Sequence, residues 1–179
     1  MALDGTRTLR GALAGAAAAA TWAALQPLDK RAFGSRYDDV ELMGKAVTRG
    51  GAWPVAGLAI HMGNGALFGA IYSNVAPLLP VPPVARGPLV ALAEHVALWP
   101  AGRLSDALHP ARDELPALSG NHRAWWQSAW RHALFGFVLG ELERRLNEEP
   151  EPELPGFEAP YSSNGHGSLE HAVPAEPTA

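Results

Sequence analysis

GGAWPVAGLAIHMGNGALFGAIYSNVAPLLPVPPVA, residues 50–85, runs for 36 residues without an Asp, Glu, Lys or Arg. A helix that crosses the hydrocarbon of a bilayer needs about 20 mainly apolar residues. This stretch supplies them before its closing prolines, and it predicts a helix over 52–73. Trp53 stands where an amphipathic ring would meet the headgroups.

Outward from it, three further stretches share the character. Residues 11–28 hold no charge, 87–102 hold only Glu94, and 124–140 hold only Arg131. Helices are therefore expected near 9–27, 87–103 and 123–143 as well. The expected fold is all-α, a four-helix transmembrane bundle. The third helix is the short one. Its apolar body, 89–99, reaches roughly 16 Å at about 1.5 Å per residue, and Pro82, Pro83 and Pro88 limit it upstream. Partial insertion and full spanning both fit. Trp99, Trp125 and Trp126 mark helix ends, whereas Trp22 and Trp130 fit an interfacial belt less well. Between the first two spans, Val40, Met43 and Val47 recur at helical spacing and predict a short amphipathic helix over 37–48.

Residues 148–179 differ in kind. They carry seven Glu, six Pro and no Lys or Arg, leaving 14 basic against 11 acidic residues in 1–147. Such a segment buries too little apolar surface to offset its ordering entropy. The expected division is a transmembrane domain over 1–147 and a disordered acidic tail over 148–179. The absence of cysteine excludes disulfides and thiolate metal sites. No phosphate loop, dinucleotide fingerprint or nucleophile elbow is present, and basic residues do not cluster as nucleic acid requires. Eight basic residues in the first and third connections against five on the opposite side favour cytoplasmic connections. His109 and His122 fall in the third connection and are expected to be solvated. The N-terminal run, with Arg7 and Arg10 before alanines, also fits a secretory signal peptide.

Small residues recur at four-residue spacing. Gly57, His61, Gly65 and Gly69 form one stripe, Ser128, His132, Gly136 and Gly140 a second, and Gly11 and Gly15 a shorter third. Residues four apart share a helix face, and in lipid such stripes allow close backbone approach. They predict packing within one chain or between copies, or with another membrane protein. The matched stripes suggest two repeated helical hairpins, with His61 aligned on His132 and Gly11 on Gly87. A chance match of Ala/Gly-rich helices remains the alternative.

Five ionisable residues sit inside apolar helices: His61, Glu94, His95, Arg131 and His132. Ionisable groups in a bilayer are costly, face the bundle interior and pair there. Glu94 is expected to neutralise Arg131. Two functional readings stand beside structural pairing. A Glu–His cluster can hold or relay protons. Alternatively His61 and His132, from different helices, can ligate haem iron or another metal. No cofactor is expected under the first.

The layout resembles the YagU-like bacterial inner-membrane proteins and related uncharacterised four-helix membrane proteins. The features that carry the resemblance are GALAGA at residues 11–16, His61 before FGAIY at 68–72, and His95 in the third segment. The last is His132 followed by GELERRLNEEPEPELP at 140–155. The resemblance implies a multi-pass protein of the bacterial inner membrane, in contact with lipid, with a link to acid tolerance and no catalytic residues to carry over. The DKR-FG-YDD segment at 29–39 is not part of it. The expected function is accordingly non-enzymatic, in envelope or pH homeostasis. A haem- or metal-binding membrane protein and a soluble or secreted Ala-rich helical protein are the alternatives.

Overall fold

The computed structural model describes residues 4–147 and, beyond them, Tyr161–Ser162 and Val173–Pro174. The chain divides into two units, Met1–Glu148 and Glu149–Ala179. In the second unit the two short strands pair antiparallel, Tyr161 opposite Pro174 and Ser162 opposite Val173. The rest of the segment expected to be a disordered tail lies outside the described residues.

Among the described residues the first unit is all-α. Its helices are α1 (Gly5–Phe33), α2 (Asp39–Val47), α3 (Trp53–Val75), α4 (Pro83–Leu98), α5 (Gly102–Leu108) and α6 (His122–Asn147). Asp4 caps α1 by accepting the Arg7 N–H at 3.1 Å. The helix then runs through Pro27 to Phe33, beyond the expected 27, and stops at Gly34 with φ 57°. Glycine adopts that left-handed cap without a Cβ penalty. The α4 helix starts earlier than expected because Pro83 sits in its first turn, where no N–H is needed. It also ends earlier, at a 3-10 turn over Trp99–Ala101, so the expected 87–103 helix is split between α4 and α5. The expected amphipathic helix is α2, capped by Asp38 accepting the Glu41 N–H at 2.9 Å.

The four long helices form a curled row in the order α4, α6, α1, α3, each packed on the next, with α2 on α3 and only marginal contact between α3 and α6. The glycine stripes set this order. A Cβ added to Gly15 would lie 2.0 Å from the Gly65 carbonyl oxygen, and one on Gly87 2.0 Å from that of Gly136. Gly11 meets Gly69 in the first hairpin, Gly140 lies beside Gly87 in the second, and Gly57 receives Gly44 of α2. The pairings make α1 antiparallel to α3, and Gly87 beside Gly136 with His95 beside Ser128 makes α4 antiparallel to α6. They also correct the repeat alignment. Gly15 and Gly87 occupy equivalent places, 72 residues apart, matching the 71 between Gly65 and Gly136. Aligning Gly11 on Gly87 displaces the first helix by one turn.

Among the described residues, several charged and amide side chains lie inside and many large aliphatic ones outside. The only buried aliphatic residues larger than alanine among them are Leu118 and Leu139, and the largest fully buried side chain is that of Arg131. Gln26, Asp29, His61, His95, Gln127, Ser128 and Glu143 are buried too. Outside stand Leu13, Val55, Leu67, Ile71, Val96 and Phe137, all more than half exposed. Among the described residues one helical segment, Trp53–Leu78, is long and apolar enough to cross a membrane.

The connections that follow α1 and α4 are tied together. His109, expected to be solvated, donates from Nε2 to the Leu42 carbonyl at 2.9 Å and accepts the Ala111 N–H at Nδ1. Asp106 accepts the Leu118 and Ser119 N–H groups, each at 2.8 Å. Lys45 and Arg49 both hold Glu114, at 2.8 Å and, from Arg49 Nε, 3.0 Å. Their hydrogen bonds pull its carboxyl down to about 2 from 4.5. A depressed carboxylate pKa stabilises above the ordinary value, and the contribution is lost as pH falls from 4.5 toward 2. At neutral pH, Glu114→Gln should therefore release the connection. Trypsin cleavage after the exposed Arg112 is the measurement, and it should accelerate several-fold; an unchanged rate would show that the tether does not hold this segment.

Candidate functional site

Arg131 lies in the middle of α6, 1% exposed, and its partners are not the expected Glu94. Its guanidinium makes a two-pronged contact with Asp29 of α1, Nε to Oδ2 at 2.7 Å and Nη2 to Oδ1 at 2.5 Å. Nη1 reaches Asp39 of α2 at 2.6 Å. The Tyr37 hydroxyl donates to Asp39 at 2.6 Å and the Gln127 amide to Asp29 at 2.7 Å. The planar fork of arginine suits this paired geometry. One cation faces two carboxylates, and the Gln127 amide and Tyr37 hydroxyl add one donor each, to Asp29 and Asp39. Asp29 and Asp39, at the two ends of the 29–39 segment, are thus the counter-charge for Arg131.

Glu94 meets His132 instead, with Oε2 3.0 Å from Nε2. His132 Nδ1 lies 2.7 Å from the Ser128 carbonyl oxygen. A carbonyl oxygen only accepts, so Nδ1 carries a proton. The Nε2–Oε2 contact is a charge pair when the imidazole is protonated.

Around it the rings make a chain. Trp22 packs edge-on against His61 with centroids 5.0 Å apart and against His132 at 4.8 Å, and His95 lies 4.8 Å from His132. Trp22, the misfit for an interfacial belt, is the ring that joins the two histidine stripes. The residues line a cavity of about 410 Å³ bordered by α1, α2, α3, α4, α6 and the segment from Trp99 to Leu118, with Phe68, Phe135 and Leu98 among its apolar side chains. Three buried nitrogens of lining residues have no hydrogen-bond partner: Trp22 Nε1, His61 Nε2 and His95 Nε2. His95 Nδ1 is 3.3 Å from the Ser128 hydroxyl.

Four of the five expected ionisable residues, His61, Glu94, His95 and His132, thus meet at one cavity, and Arg131 belongs to the adjoining ion-pair network. Sequence reading passed over Trp22, Asp29, Tyr37, Asp39 and Gln127. The one available signal was that a lone arginine in an apolar helix demands a buried carboxylate, and Asp29 and Asp39 bracket the first connection. The described residues contain no group of three or more His, Cys, Asp or Glu side chains placed to hold a metal ion. No family model matches this chain, and no curated protein or solved structure matches it.

Proposed function

We propose that this chain is a multi-pass protein of the bacterial inner membrane, non-enzymatic, whose four long helices span the bilayer around a proton-holding Glu94–His132 pair. Its role is in pH or envelope homeostasis. The observation that carries the reading is the burial pattern, with charged and amide side chains inside and Leu, Val and Ile outside. Burying charge costs free energy unless it is paired, and large exposed apolar faces are unfavourable in water. In lipid both features become favourable together.

Average hydropathy undervalues α1 and α6 for a physical reason. It counts Gln26, Asp29, Gln127 and Arg131 as exposed polar groups, although all four are buried. The 16 residues of α4 rise about 24 Å, short of the roughly 30 Å hydrocarbon thickness. Local thinning of the bilayer or snorkelling of Arg86 accommodates the difference. A water-soluble fold would leave Leu13, Val55, Leu67 and Ile71 facing solvent with no partner.

The haem alternative finds less support. Both His132 nitrogens are engaged, and Trp22 packs against both proposed axial ligands.

Two measurements test the proposal. Alkaline carbonate washing should leave the protein in the membrane pellet; release into the supernatant would end the spanning reading. Vesicles containing purified protein and a trapped pH dye should show proton flux that falls in Glu94→Gln and His132→Ala. Absence of flux from the unaltered protein would end the proton role without touching the membrane assignment.

A further inference from the structure

We propose that the cavity bordered by α1, α3, α4 and α6 binds a lipid-soluble molecule with an apolar body and an acceptor oxygen at its head, a carbonyl or a carboxyl. The bilayer as its source rests on the membrane reading; the binding itself does not.

The head is defined by what the wall leaves unpaired. Trp22 Nε1 only donates, it is buried, and nothing accepts from it. His95 Nε2 is likewise unpartnered, and it carries the proton when the Ser128 hydroxyl donates to Nδ1. Buried donors without acceptors are unfavourable; both belong to residues of the cavity lining and lie just beneath its surface, so a small turn of either ring presents them to an oxygen in the cavity.

The charge of the lining narrows the choice. Arg131 is spent on Asp29 and Asp39, while Glu94 and Asp39 themselves face the cavity. A phosphate or sulfonate would find acidic neighbours and no free cation on this lining. A neutral carbonyl or an uncharged carboxylic acid fits. The body is defined by Phe68, Leu98 and Phe135, and about 410 Å³ lies in the range of small-molecule sites. The outer faces of α3 and α4, two of the helices that border the cavity, carry the exposed Leu58, Leu67, Leu89 and Val96.

The full chain purified in detergent, titrated with dodecanoic acid, a decyl-tailed benzoquinone and dodecane, decides the matter. One of the two oxygen-bearing probes should bind saturably where dodecane does not, and which one identifies the headgroup class. Binding should move the indole N–H resonance of Trp22 downfield in the unaltered protein. Trp22→Phe should weaken the affinity about tenfold, the loss of one hydrogen bond. Equal partitioning of all three probes, or saturable binding with the Trp22 resonance unmoved and the affinity of Trp22→Phe unchanged, overturns the proposal. The resonance is read on the native chain, so the test survives a variant that does not fold. Because it is made in detergent, its failure is separate from failure of the carbonate or vesicle experiments.

Discussion

Arg131→Met should cost about 3–5 kcal/mol, enough to abolish a stable fold. The substitution leaves Asp29 and Asp39, both buried, facing each other's charge without a cation. The loss is expected as a much lower unfolding temperature in detergent and as aggregation on size exclusion. Arg131→Lys keeps the charge but cannot make the two-pronged contact with Asp29, so it should fall between. The informative variant is the triple Arg131→Met, Asp29→Asn, Asp39→Asn. With no buried charge left uncompensated, it should recover most of the lost stability, because replacing a whole buried ion network by neutral groups is often near neutral. If Arg131→Met unfolds at the wild-type temperature, the network does not hold α1, α2 and α6 together.

This network also marks where the sequence stopped being legible. The four long helices could be read from their uncharged runs, since the signal for each is local. The far end of α1 could not. Asp29, Lys30 and Arg31 look like a charged exit, and only an arginine 102 residues away makes Asp29 an interior residue. For the same reason Glu94 was assigned to Arg131. Both are lone charges in apolar helices, but nothing in a sequence says that α4 meets α6 at His132 while Arg131, one residue earlier, faces α1 and α2. His61 and His132 were visible as members of stripes, and His95 as an ionisable residue in an apolar helix. Trp22, which joins those stripes, was hidden because a tryptophan in an alanine-rich run carries no periodic signal of its own.

The glycine stripes were legible for a different reason: their chemistry is the absence of a side chain, and a Cβ at such a position collides with backbone that no rotamer change can move. Gly15→Leu should therefore separate α1 from α3, and Gly87→Leu should separate α4 from α6, each costing at or above the roughly 3 kcal/mol typical of severe overpacking. Gly63 is the control. It lies on α3 two residues from Gly65, but it is exposed and nothing stands within 4 Å of an added Cβ. Gly63→Leu should be tolerated, because the helix gains propensity and the new side chain meets no other described residue. The three variants, compared by unfolding temperature and by size exclusion in one detergent, separate two questions. Equal damage from Gly15→Leu and Gly87→Leu supports two equivalent hairpins in the 72-residue register; damage from only one makes the likeness superficial. If Gly63→Leu aggregates while the other two remain folded, then α3 presents its Gly63 face to water or to a partner, and the inside and outside of this fold have been assigned the wrong way round.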